Sequence, residues 1–173
     1  MVRTADAGTG ERAPKDLYGG DRTWRMDEYF EDVAVGDTHE LGTYDVTAAE
    51  VREFAARYDP QSVHTGDGDA GTPLVDGLVA SGWHTAAMTM RVLVDGYLGE
   101  SGALLATGVD RLRWPNPVRP DDTLRVSLTI EEKRPHDAEG LGEVATGVTS
   151  RTDAGVVLSM VGTVLFRRRE SQS

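Results

Sequence analysis

Apolar and polar positions alternate with a period of two through most of the second half of the chain. Leu124-Arg125-Val126-Ser127-Leu128-Thr129-Ile130 alternates cleanly, and Leu104 to Trp114, Gly142 to Ser150 and Val156 to Phe166 read as strands too. Alternation of this kind predicts strands with one face in a core. Asp153-Ala154-Gly155 separates the last two strands and signals a hairpin turn. The stretch Trp114 to Asp122 holds Pro115, Pro117 and Pro120 and is predicted as a loop, because proline cannot donate to a central ladder. Another strand is expected near 38–46, where Leu41, Tyr44 and Val46 follow Gly36.

The period changes twice in the first half. Thr47-Ala48-Ala49-Glu50 fits a capping box, and Val51, Phe54, Ala55 and Tyr58 follow at helical spacing. A helix over 48–58 is expected to stop at Asp59-Pro60, since the residue before a proline is pushed out of the helical region. Residues 65–76 are rich in Gly and Asp, lack periodicity and read as a loop; the twelve-residue calcium pattern ending in Glu is absent. From Gly77 to Val94 the only charged side chain is Arg91, and a helix apolar nearly all round is a buried one. His84, Arg91 and the surrounding strands favour a core helix over a membrane span. The sum is an α+β arrangement, an antiparallel sheet wrapped around one long helix. No repeat or second domain is visible. The domain is set at 25–169, with a mobile tail over 1–24 and a short C-terminal tail over 170–173.

Composition narrows the chemistry. A chain of 173 residues, 39% hydrophobic, is long enough for one domain with a real core. With no cysteine there is no disulfide, no thiolate metal site and no thiol nucleophile. A net charge of −11 argues against a general nucleic-acid binder. Arginines converging locally could still take an anionic ligand, and Arg111, Arg113, Arg119, Arg134 and Arg167 to Arg169 are the candidates; solvated surface charge is the ordinary role of such residues. The absence of cysteine fits a cytoplasmic protein, and the N-terminus, Met1 to Asp21, lacks the apolar h-region of a signal peptide.

The candidate chemistry lies in Tyr58-Asp59-Pro60-Gln61-Ser62-Val63-His64, in the turn expected after the first helix. Asp-Pro is a common turn starter and a lone histidine is commonly a surface or capping residue. A carboxylate and an imidazole five apart can also hold a water and move its proton at neutral pH. Two further blocks turn the reading toward chemistry: Gly77-Leu-Val-Ala-Ser-Gly-Trp-His-Thr85 and Pro117-Val-Arg-Pro-Asp-Asp-Thr-Leu124.

With Asp59 to His64, and in the same order, these blocks resemble the MaoC-like acyl dehydratases, hotdog-fold proteins that include the (R)-specific enoyl-CoA hydratases. The resemblance covers about residues 27–168. The family motif is commonly Asp-x-Asn-Pro-x-His. Asp59 and His64 match it, Gln61 stands in place of Asn, and Ser62 in place of Pro. The resemblance implies a hotdog fold and interconversion of a 2-enoyl thioester with a 3-hydroxyacyl thioester; between coenzyme A and an acyl carrier protein, the acidity of the chain favours coenzyme A. It makes Asp59 and His64 the catalytic dyad. It makes Gly77, expected to open the central helix, the donor of a backbone N–H to the thioester oxygen. Gln61, Trp83, Arg113 and a helix hydroxyl, Thr85 by offset or else Ser81, are the implied substrate-binding residues. Trp83, Met88, Met90 and Leu93 are candidates for shaping an acyl tunnel, and His84 is expected to be a packed neighbour. No metal, nicotinamide or flavin is implied, and neither nucleic acid nor membrane is a partner. The implied assembly is a homodimer or a multiple of it. Two alternatives are a non-catalytic binding or structural subunit of a heterodimeric dehydratase, and a hotdog thioesterase. Retention of Asp59 and His64 counts against the first; the absence of Asp and Glu from 77–94 counts against the second.

Overall fold

The computed structural model describes residues 29–66, 71–72, 75–99 and 101–169. Both tails and the start of the domain at 25 lie outside these residues. Five long strands form one antiparallel sheet: β1 (Thr38–Asp45), β4 (Ala103–Arg113), β5 (Thr123–Pro135), β6 (Leu141–Thr152) and β7 (Gly155–Arg167), in the order β1-β5-β6-β7-β4. The helices α1 (Ala48–Tyr58), α2 (Ser62–Thr65) and α3 (Gly82–Leu93) all fall between β1 and β4, together with a small two-stranded piece, β2 (Gly71–Thr72) and β3 (Val75–Asp76).

The alternation translates directly into burial. Leu124, Val126, Leu128 and Ile130 of β5 point into the core, as do Val144 and Val148 of β6 and Leu158, Met160, Val164 and Phe166 of β7. α3 lies against this surface, with Val92 and Leu93 in one apolar cluster with the sheet and Met88 in a second with Val46, Val51 and Leu124. Helix and sheet also share one polar link at the centre. The Thr89 hydroxyl lies 2.7 Å from the Ser150 hydroxyl, and both side chains are completely buried. The Thr89 hydroxyl also meets the Thr85 carbonyl at 2.8 Å, so the buried polar atoms are satisfied.

The capping box forms as read: Thr47 is the N-cap, accepts from the Glu50 N–H, and donates its hydroxyl to Glu50 at 2.8 Å. Three expectations are corrected. The buried helix starts at Gly82, not Gly77, because Ser81 caps it and the N–H groups of Val79 and Ala80 are bonded to the carbonyls of Val63 and Val118. It also runs on past Val94 through a π-helical turn over Val94–Leu98. There Gly96 packs so close to the Leu41 carbonyl that a Cβ would lie 2.6 Å from it. The loop read over 65–76 holds the pairing of β2 with β3.

β4 is the outlier among the strands. It is an edge strand, its pairing with β7 slips three times, and it leaves Leu104, Leu105 and Val109 about half exposed. Trp83, Met90 and Val94 form an exposed apolar stripe on α3 and its extension.

Candidate active site

Asp59 is the C-cap of α1, its N–H bonded to the Ala55 carbonyl at 2.9 Å. The chain after Pro60 was expected to be a turn and instead closes into α2. The Gln61 carbonyl accepts from the N–H groups of His64 and Thr65, and Gly66 ends the helix in the left-handed region at φ 77°. This short helix puts His64 opposite the carboxylate, with His64 Nε2 3.6 Å from Asp59 Oδ2. That separation is too long for a good hydrogen bond, and the pair faces without joining.

Three groups hold the pair in place. Gln61 Nε2 donates to Asp59 Oδ1 at 2.7 Å. The Ser81 hydroxyl donates to Asp59 Oδ2 at 2.6 Å while accepting from the Trp83 N–H, which ties the carboxylate to the first turn of α3. The donors from Gln61 and Ser81 hold the Asp59 carboxyl below the usual carboxylate range, against the opposing effect of burial. His64 Nδ1 lies 2.9 Å from the Val79 carbonyl. A carbonyl only accepts, so in the neutral ring Nδ1 carries the hydrogen and Nε2 presents a lone pair. The site therefore offers two acceptors side by side, an ionised carboxylate oxygen and an imidazole nitrogen. A molecule with two O–H bonds can satisfy both at once.

Gly77 lies in the bend after β3 with φ 73°, a conformation that favours glycine. Among the described residues a Cβ there would meet only Arg119 Nη1, at 3.8 Å. Arg119 donates to the Asp76 carbonyl beside it.

A family model, the MaoC like domain, matches residues 32–152. The chain belongs to the MaoC-like domain family. The MaoC-like dehydratase of Rhodospirillum rubrum is 36% identical, with a TM-score of 0.75 over 83% of this chain and 99% of that one. The (R)-hydratase PhaJ1 of Pseudomonas aeruginosa shares the fold, with 24% identity and a TM-score of 0.60 over 84% of this chain and 92% of its own. Among curated proteins, the uncharacterized protein YdeM of Bacillus subtilis is 25% identical over 112 residues, 64% of this chain and 76% of that one. A structural neighbour from Mycobacterium tuberculosis has a double hotdog fold; 86% of this chain covers 46% of that one, with a TM-score of 0.66, and the five-stranded sheet with its helix is a hotdog fold. The family supports a hydratase-type function.

In this MaoC-like chain, then, Asp59, Gln61 and Ser81 form one bonded cluster, and His64, held by the Val79 carbonyl, faces it at 3.6 Å. The other candidates stand apart from it. The Thr85 hydroxyl is buried and turns back to the Ser81 carbonyl at 3.2 Å. Trp83 is exposed and meets Trp114 edge-on at 5.3 Å, and Gly82 lies so close to the Trp114 ring that a Cβ would clash with it. Arg113 is exposed at the end of β4 and donates to the carbonyl of its neighbour Leu112. Met88 and Leu93 face the core, leaving Trp83 and Met90 as the outward-facing pair. Of the other candidate arginines, Arg111, Arg134, Arg168 and Arg169 pair with Glu131, Glu143, Glu31 and Asp32. Sequence reading did not foresee that Ser81 serves the carboxylate, or that the Val79 carbonyl sets the histidine tautomer. In the sequence Ser81 stands inside the apolar run and reads only as an alternative hydroxyl for the substrate.

No helix among the described residues is long and apolar enough to cross a membrane.

Proposed function

We propose that the chain is a hydratase/dehydratase that interconverts a 2-enoyl-CoA and a 3-hydroxyacyl-CoA. The observation that carries this reading is the pair of facing acceptors, Asp59 Oδ2 and His64 Nε2, each fixed from behind by its own hydrogen bonds. A water between them donates one hydrogen to each, which turns its remaining lone pairs toward the substrate. In hydration the water oxygen bonds to C3 and its proton passes to the dyad. The C2–C3 double-bond electrons move toward the thioester oxygen, and a proton from the dyad then reaches C2. Dehydration is the reverse. The Gly77 N–H is the proposed donor to the oxygen that gains charge; a donor in that role is worth about 2.7–4 kcal/mol of barrier. Addition of water is redox-neutral and needs no nicotinamide or flavin.

The exposed apolar edge of β4 and the outer stripe of α3 support a second copy as the covering partner. We therefore propose a homodimer or a multiple of it, with the acyl-CoA lying along the shared face. The net charge of −11 favours coenzyme A over an acidic carrier protein, and the absence of cysteine fits a cytoplasmic setting. Leu105→Glu should shift the solution mass toward the monomer; an unchanged mass would remove β4 from the interface.

The deciding assay follows loss of enoyl-thioester absorbance and release of free thiol together on crotonyl-CoA and longer 2-enoyl-CoAs. Hydration without thiol supports the proposal. Thiol release makes the chain a thioesterase, and neither reaction on any thioester leaves a binding or structural subunit.

A further inference from the structure

We infer that Arg119 is a positioning residue that aims and polarises the Gly77 N–H. The inference rests on the reading of Gly77 as the donor to the thioester oxygen. The Asp76 carbonyl and the Gly77 N–H are two ends of one peptide group, and the Arg119 guanidinium donates to the carbonyl end through Nη1. A cation on the oxygen of a peptide draws electrons toward that oxygen and makes the N–H at the other end a stronger donor. The same bond fixes the plane of the peptide, and so the direction of the N–H.

The loop that carries Arg119 is built to hold this position. Val118 is buried, and its carbonyl accepts from the Ala80 N–H at 2.8 Å. The Arg119 N–H is bonded to Asp122 Oδ2 at 2.8 Å. Asp121 N–H donates to the Val46 carbonyl, and Val46 N–H to the Asp122 carbonyl. Residues 118–122 are thus pinned to the segment leading into α3 and to the end of β1. Gly77 itself is in the left-handed region, where a bend has no side chain of its own to hold it. An external tether on its peptide is what such a bend lacks. Arg119 is exposed, so its contribution is that of a screened charge plus a directed hydrogen bond, and the expected effect is modest.

The test compares wild type with Arg119→Met, which keeps the stem and removes the charge and donors, and Arg119→Lys, which keeps the charge. A panel of crotonyl-, octenoyl- and dodecenoyl-CoA first selects the chain length hydrated fastest. The saturated acyl-CoA of that length, labelled with carbon-13 at the thioester carbonyl, is then bound and its carbonyl stretch read by difference infrared spectroscopy. Wild type should lower the stretching frequency on binding. Arg119→Met should lower it less and reduce kcat about three- to tenfold, with KM within about twofold, the loss expected when a donor is weakened rather than removed. Arg119→Lys should fall between. A kcat and carbonyl frequency unchanged in Arg119→Met overturn the inference while leaving the hydratase reading intact. A rise in KM alone also overturns it, and would make Arg119 a contact to the coenzyme. A wild type that hydrates no 2-enoyl-CoA overturns both.

Discussion

His64 keeps 14% of its side chain exposed, bonds one ring nitrogen to the Val79 carbonyl and turns the other toward Asp59. His84 is 6% exposed, stacks on Phe54 with ring centroids 4.6 Å apart, and leaves Nδ1 buried with no hydrogen-bond partner among the described residues. Burial holds the His84 ring below the ordinary histidine range, against the pull of Glu50. A groove of about 570 Å³ between α1, β1 and α3 has His84, and not His64, in its wall. Concavity alone would therefore point to His84, whereas the proposed function rests on His64. What separates the two is the partner of a single nitrogen. His64 has its tautomer set and its lone pair aimed, whereas His84 is packed as an aromatic ring.

The sharpest break of this comparison is at the dyad. His64→Ala and Asp59→Asn should each lower kcat by at least about 10²-fold, the range for general acid–base groups, while His84→Leu stays within about threefold. Steady-state hydration assays on the three variants check it. A His84→Leu loss as deep as that of His64→Ala would reverse the assignment.

Gly77 gives the next largest effect, and the backbone changes what to expect there. Because φ is 73°, Gly77→Ala should cost about 1 kcal/mol of stability as well as activity. Gly77→Asn separates the two, since Asn tolerates the left-handed region and still adds bulk beside the donor. It should keep the melting temperature within a few degrees and lower kcat about tenfold, as expected for a misplaced donor. A melting temperature that falls in step with rate in both variants would leave Gly77 a purely structural residue.

Ser81 sharpens the acid side. Its hydroxyl donates to the ionised form of Asp59, so Ser81→Ala should raise the Asp59 pKa from its lowered value toward the usual carboxylate range. The acid limb that Asp59 contributes to the kcat/KM profile then moves to higher pH, and Ser81→Thr should restore it. The linkage to folding has the matching sign. A carboxylate with a lowered folded pKa stabilises the fold above its unfolded value, near about 4, and loses that contribution as pH falls through the folded value. An acid limb that does not move in Ser81→Ala would mean that the bond does not tune Asp59.

The smallest expected effect returns to His84. Its folded pKa is lowered, so the unfolded chain binds the proton more readily and stability should decline as pH falls below about 6.5. Melting curves between neutral and mildly acid pH should show this slope in wild type and a shallower one in His84→Leu. Equal slopes would mean that His84 does not titrate on unfolding in that window.

Much of this could be read from the chain alone. The alternation of β5 to β7, the capping box of α1 and the stop at Asp59-Pro60 are local patterns, and local sterics and burial enforce them wherever the chain goes. Asp59, His64 and the two downstream blocks were enough to indicate the family, because their residue types and order are themselves the signature. What the chain could not disclose is set across distance. Ser81 reaches Asp59 over 22 residues, Val79 orients His64 over 15, and Arg119 reaches Asp76 over 43. The start of α3 moved from Gly77 to Gly82 for the same reason. Apolar composition makes residues 77–81 as fit for helix as residues 82–93. Packing decides it: Gly77 stands in the left-handed region, the carbonyls of Val63 and Val118 hold the N–H groups of Val79 and Ala80, and the helix opens only at its Ser81 cap. Periodicity records which side of an element is buried. Which hydrogen-bond partner waits on that side is decided when the elements pack, and in this protein those partners separate one histidine from the other.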